Sequence, residues 1–187
     1  LEVNLIKRAG KTELHLIEAT IGGDIESFGE LARRYYAAMT AIAYSVLADH
    51  QLAEDAAQES FARALVNLKN LKSKSRFAPW LAAICRNVAK DMLIAKARRI
   101  PARRDDVSQV TQDYDINEDE RLVKQAIGQL PADAKELIVL RYYNGLSYEK
   151  IGSVLGISKP TINGRLTRAK RKMKKFLKRN GFPENQL

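Results

Sequence analysis

Between Asp105 and Glu120 the chain runs "DDVSQVTQDYDINEDE", with seven acids, no base and few large apolar side chains. Such a segment has too little apolar surface to offset the entropy of ordering it, and it shows no helical period. Together with "RRIPARR" just before it, interrupted by Pro101, it reads as an extended linker. The chain must then build its cores on either side. We expect a first module over residues 12–98, a linker over 99–120 and a second module over 121–179.

Both flanks carry the helical period. Gly22-Gly23-Asp24 ends one short helix and caps the next, because Asp accepts free amide protons of a first turn. Phe28, Leu31, Tyr35, Met39 and Ile42 then recur at three- and four-residue steps, one buried stripe. A third helix is expected over about 51–68, with Leu52, Ala56, Phe61, Leu65 and Leu68 inward. "KNLKSKSR" interrupts the pattern, and Phe77, Leu81, Ile84, Val88 and Met92 resume it, with Pro79 tolerated in the first turn. In the second module "RLVKQAIGQLP" stops at Pro131, and "ADAKELIVLRYYNG" ends at Asn144-Gly145 as a left-handed cap. The expected fold class is all-α, with two small helical domains.

Charge narrows the function. Thirty-two Lys and Arg stand against 22 Asp and Glu, a net charge of +10, which suits a polyanionic partner such as nucleic acid. No apolar stretch is long enough to span a bilayer, and residues 1–19 lack the continuous apolar run of a secretory signal. We expect no membrane insertion. Cys85 is the only cysteine, which excludes an internal disulfide and favours a cytoplasmic setting; within "WLAAICRNVA" it reads as a packing residue. His15 and His50 lie far apart with no cysteine at ligand spacing, and no phosphate-cradling loop or nucleophile elbow appears. No catalytic residue, metal or cofactor is expected, and nothing recommends an enzyme.

Near the C-terminus, Ser147 can cap a short helix over Tyr148–Leu155 that Gly156 ends, although Lys150 stands where a capping box would have Glu or Gln. Ser158 can cap the next helix, with Pro160 in its first turn. Two helices joined by a three-residue turn containing Gly form a helix-turn-helix. Ile151, Val154, Leu155 and Ile157 would face Ile162, Leu166, Ala169 and Met173. Lys159, Thr161, Asn163, Arg165 and Arg168 are left on the exposed face at the start of the second helix, where recognition helices read bases. Lys170, Arg171, Lys172, Lys174 and Lys175 follow and suit phosphates. A lipid-surface helix is the weaker reading, since the apolar face has only Phe176 as a large aromatic. A merely solvated basic face is the other alternative.

Three stretches in order, "AEDAAQESFARAL" (Ala53–Leu65), "FAPWLAAICRNVAKDML" (Phe77–Leu93) and "LPADAKELIVLRYYNGLSYEKIGSVLGISKPTINGRLTRAKRKM" (Leu130–Met173), resemble the extracytoplasmic-function sigma factors of the sigma-70 family. The resemblance covers most of the chain outside the tails and the linker. It implies an alternative sigma factor whose first domain (region 2) docks on core RNA polymerase and holds the minus-ten promoter element. The second domain (region 4) would read the minus-thirty-five element. The implied docking residues are Glu54, Asp55, Gln58, Glu59 and Arg63; residues 49–59 carry four acids and no Lys or Arg, a face suited to a basic protein partner. The implied minus-ten contacts are Lys69, Lys72, Lys74, Arg76, Asn87 and Lys90, an electrostatic track for the melted non-template strand with an amide near the captured base. Phe77 and Trp80 fall on the apolar stripe, which favours core packing over base stacking for both, and Ala82 stands where relatives have an aromatic. The partners implied are core RNA polymerase, promoter DNA as duplex and as melted strand, and an anti-sigma factor. An autonomous helix-turn-helix regulator that needs no polymerase is the competing reading.

Overall fold

The computed structural model describes residues 11–99 and 118–183. The N-terminal ten residues and most of the expected linker lie outside them. The described residues form eight α-helices in two groups, with no strand among them.

In the first group α1 spans Glu13–Ile21, α2 Ile25–Leu47, α3 His50–Asn67 and α4 Phe77–Arg99. The start of α2 is capped as the sequence suggests, and that of α3 by Asp49, a cap the sequence reading did not name. The Asp24 carboxylate accepts the amides of Glu26 and Ser27, and Asp49 accepts that of Leu52 at 3.1 Å. Gly23 takes φ +103° between α1 and α2, a conformation a side chain would strain. Two short 3-10 turns, Leu68–Asn70 and Lys74–Arg76, carry the chain from α3 to α4. Leu31, Met39, Ile42, Phe77 and Leu81 are fully buried, and a row of alanines lets α2, α3 and α4 approach closely. Cys85 packs there as expected, its thiol donating to the Met39 carbonyl at 3.2 Å, and burial pushes its pKa up to about 11.

In the second group α5 spans Glu118–Gly128, α6 Ala132–Ile138, α7 Tyr148–Leu155 and α8 Lys159–Arg179. Two boundaries differ from the sequence reading. Glu118, Asp119 and Glu120, expected in the linker, form the first turn of α5, where carboxylates favour the positive end of the helix dipole. The helix expected over "ADAKELIVLRYYNG" widens after Ile138 into a π-turn, Val139–Tyr143. Arg141 holds the following loop by donating to the Leu146 carbonyl at 2.8 Å. Asn144 closes the π-turn in right-handed geometry, and Gly145 alone is left-handed, at φ +65°. No propensity distinguishes a π-turn from an α-turn in a sequence.

The two groups pack on each other. α6 and the π-turn lie against α2, and α7 lies against α4, so that one apolar cluster runs from Leu16 to Ala169. Polar contacts rim this seam. Arg86 of α4 pairs with Glu136 of α6 at 3.0 Å, and the Glu136 side chain is only 10% exposed. Tyr143 stacks on Tyr44 with centroids 5.2 Å apart and shares a 2.7 Å hydrogen bond with His50. The Asn144 amide donates to the Ala37 carbonyl at 3.0 Å, and the Lys150 ammonium sits 4.0 Å from the Tyr35 ring centroid. Burial lowers the Lys150 pKa there.

Candidate nucleic-acid and protein interfaces

Three surfaces take shape from these helices. On α3, Glu54, Asp55 and Gln58 are exposed and Glu59 is half-buried at steps of three and four, while Ala53, Ala56, Ala57 and Ser60 face the core. The acids therefore share one outward stripe. Arg63 closes it, pairing with Glu59 at 2.7 Å and with Asp91 of α4 at 3.7 Å.

Arg63 also borders the second surface. It lines a cleft of about 300 Å³ together with Asn67, Asn70, Trp80, Ile84 and Asn87. A second cleft of about 440 Å³ continues past Trp80 and is lined by Leu71, Lys72, Arg76 and Pro79 among others. Of the candidate minus-ten contacts, Lys72, Arg76 and Asn87 converge on these clefts. Lys69 and Lys90 are exposed but line neither. Lys74 turns away to pair with Glu18 of α1 at 2.8 Å, which holds the Glu18 carboxyl below its ordinary pKa.

The two aromatics behave differently. Phe77 is fully buried, as its position on the stripe suggests, whereas Trp80 is half-buried and forms a wall of both clefts. Ala82 is fully buried in the core, so the lack of an aromatic there removes nothing from the cleft. The sequence reading named neither Asn67 nor Asn70, and it placed Ile84 on the buried stripe. The two asparagines flank the end of α3, where Asn is otherwise read as a helix terminator.

The third surface is the helix-turn-helix. Ser147 accepts the Lys150 amide at 3.2 Å, Gly156 is left-handed at φ +67°, and Ser158 accepts the Thr161 amide at 3.4 Å. Ile151, Val154, Ile162, Leu166 and Ala169 fill the angle between α7 and α8. Asn163, Arg168, Lys170 and Arg171 point outward. The remaining candidates already have partners. Lys159 pairs with Glu149 at 3.3 Å, and the Thr161 hydroxyl hydrogen-bonds Ser158 at 2.8 Å. Arg165 pairs with Asp133 at 3.3 Å. Lys172 donates to the Gln129 carbonyl at 2.8 Å, closing the end of α5. A Cβ on Gly164 would meet nothing within 4 Å, which leaves a small open step on the helix.

The clefts and the helix-turn-helix meet at one point. A Cβ on Gly156 would come within 3.3 Å of Pro79 and 3.8 Å of the Arg76 guanidinium. The turn between α7 and α8 is therefore seated beside the cleft on α4.

Comparison with known proteins bears on what these surfaces are. Residues 31–100 match the family described as Sigma-70 region 2, and residues 120–173 match Sigma-70, region 4. The chain is 33% identical over 177 residues to the RNA polymerase sigma-H factor of Pseudomonas aeruginosa, covering 87% of this chain and 92% of that one. It is 30% identical over 175 residues to the ECF RNA polymerase sigma-E factor of Haemophilus influenzae, covering 85% and 92%. In fold it is similar to CnrH, solved in complex with the cytosolic domain of CnrY. That match has a TM-score of 0.58 at 24% identity and covers 90% of this chain and 99% of the other. None of the described helices is long and apolar enough to cross a membrane.

Proposed function

The chain belongs to the sigma-70 family as an extracytoplasmic-function sigma factor that directs transcription initiation, and from that premise we propose which of its surfaces does what. The outward stripe of α3, Glu54, Asp55, Gln58 and Glu59, docks on core RNA polymerase. Its acids meet a basic partner and repel DNA, and they lie on a helix whose other face is core. The clefts around Trp80 hold the melted minus-ten strand. Asn87 offers a donor and an acceptor to an unstacked base, Trp80 offers a ring edge, and Lys72 and Arg76 meet phosphates. α8 enters the major groove of the minus-thirty-five element, with Asn163, Arg165 and Arg168 toward base edges and Lys170 and Arg171 toward phosphates. The protein catalyses no reaction; its work is binding, and it does that work in the cytoplasm. An anti-sigma factor is the partner that would hold it inactive.

The observation that carries this reading is the seating of Gly156 against Pro79 and Arg76. The turn that leads into α8 rests on the lip of the cleft, whereas two promoter elements separated along a duplex need the two modules apart. The chain by itself is thus poorly arranged for promoters, and polymerase must draw the modules apart. Transcription in vitro with core polymerase and a promoter library tests the assignment. Initiation that needs both proteins, and is lost in the Asp55→Lys, Glu59→Lys double variant, is the expected result. Nanomolar sequence-specific duplex binding by the chain alone would instead identify an autonomous regulator.

A further inference from the structure

We propose that Asp133 is a positioning residue for promoter reading: it holds the Arg165 guanidinium in place for one base pair. The inference rests on Arg165 reading a base edge. Asp133 lies in the first turn of α6, on the stripe that continues through Leu137 and Leu140, both fully buried. Arg165 lies on α8 between Ile162 and Ala169, 0% and 3% exposed. The α6–α8 seam therefore fixes both backbones, and the ion pair is where that seam reaches solvent, with Arg165 36% and Asp133 57% exposed. The pair engages Nη1 of Arg165. An arginine has five N–H donors in a planar fork, so the others stay available for the two acceptors of a guanine.

A second argument concerns sign. A carboxylate beside a DNA-binding helix repels phosphates, so as a surface charge Asp133 weakens binding to every sequence alike. Apart from its charge in the first turn of α6, what it can add to DNA binding is discrimination. An arginine drawn to a carboxylate at one nitrogen samples fewer rotamers, and that part of its ordering is no longer charged against the base contact.

The test uses the holoenzyme reconstituted with core polymerase, binding a promoter library randomised across the minus-thirty-five element. The variants are Asp133→Asn, Asp133→Glu, Arg165→Ala and the Asp133→Asn, Arg165→Ala double variant, each first checked for unchanged thermal melting. Asp133→Asn should lower the preference at a single base pair by about 1.5-fold to fivefold, the reach of an exposed ion pair. Total affinity should stay level or rise. Arg165→Ala should abolish preference at that same base pair, the double variant should add nothing to it, and Asp133→Glu should retain most of it. If Arg165→Ala flattens one position while Asp133→Asn leaves every preference intact, or shifts all sequences equally, the positioning role is overturned. If Arg165→Ala itself changes no preference, the reading of Arg165 as a base contact falls first, and the role of Asp133 falls with it.

Discussion

α2, α3 and α4 meet through small side chains: Ala38, Ala41, Ala53, Ala56, Ala57 and Ala89 are all 2% exposed or less. α5 to α8 meet instead through Leu130, Leu137, Ile151, Val154, Ile162 and Leu166. The first arrangement joins helices of 18 to 23 residues at close range. The second joins α5, α6 and α7, of 11, 7 and 8 residues, to one long basic helix. Helices that short are marginal in isolation, so their stability comes from what they pack against. Part of that support is α2 and α4 of the first module, through the π-turn and the Arg86–Glu136 pair. By helix length the second module leans on the seam more than the first does. The seam between the modules is what the proposed binding of two separated promoter elements would have to open.

The largest effects should come from cavities on either side of this divide. Leu31→Ala in α2 and Leu140→Ala in the π-turn each delete a fully buried side chain, at a cost of about 3–4 kcal/mol. Hydrogen exchange should distinguish them. Leu31→Ala should lower protection throughout the chain, whereas Leu140→Ala should expose α5 to α8 and leave α2 and α3 protected. Equal loss in α2 and α3 from both variants would mean a single cooperative unit and would break the comparison.

Glu136→Gln should follow. It leaves Arg86, 31% exposed at the side chain, without its counter-charge across the seam, at a cost of about 3 kcal/mol, the low end for a broken buried pair. Because the pair joins the modules, that cost falls on the closed arrangement. The open fraction of the free chain, and with it duplex affinity, should rise by up to about a hundredfold. Titration of labelled minus-thirty-five duplex against the free chain measures it.

Legibility in the sequence followed locality rather than module. The stripe Phe28 to Ile42, the caps at Asp24, Ser147 and Ser158, and the turn at Gly156 depend on local chemistry, which three or four neighbouring residues determine. Trp80 shows the limit. Helical spacing places it on the apolar stripe, but only the return of α3 beside α4 decides that it walls a cleft. Lys74, Arg165 and Lys172 show a second limit. Each reads as a DNA contact by its charge and place, and each has a protein partner 32 to 56 residues away that no periodicity reveals. The Arg86–Glu136 pair is of the same kind, being two ordinary charges until the modules meet.

Smaller effects sharpen the seam further. Tyr143→Phe removes the hydrogen bond to His50 but keeps the stack on Tyr44, so the closed arrangement should weaken by about 0.5–1 kcal/mol. The exchange rates of α6 and the π-turn report that change. Acid should act unevenly. Hydrogen bonds from Ser27 lower the Asp24 pKa, the Leu52 amide lowers that of Asp49, and Arg33 and Arg34 lower that of Glu30. A carboxyl with a lowered folded pKa contributes stability above its unfolded value, about 4, and loses it as pH falls through the folded value. Asp24 and Asp49 cap α2 and α3, so mild acid below about pH 4 should loosen both helices at their starts, and α7 likewise at Glu149, whose pKa a backbone hydrogen bond and Lys159 lower. Residue-resolved exchange between pH 5 and pH 3 should show that loss there before it appears in α8.

The distance between the modules tests the central claim most directly. Cysteines introduced at Leu14 of α1 and Gln125 of α5, both exposed, would carry a fluorophore pair. The buried native Cys85, its thiol held up to about 11, would resist labelling. Energy transfer should be high in the free chain, drop in the holoenzyme with promoter DNA, and be lower in free Glu136→Gln than in the free parent. Equal transfer in the free chain and in the promoter-bound holoenzyme would contradict the account, because the seam would then persist while transcription starts.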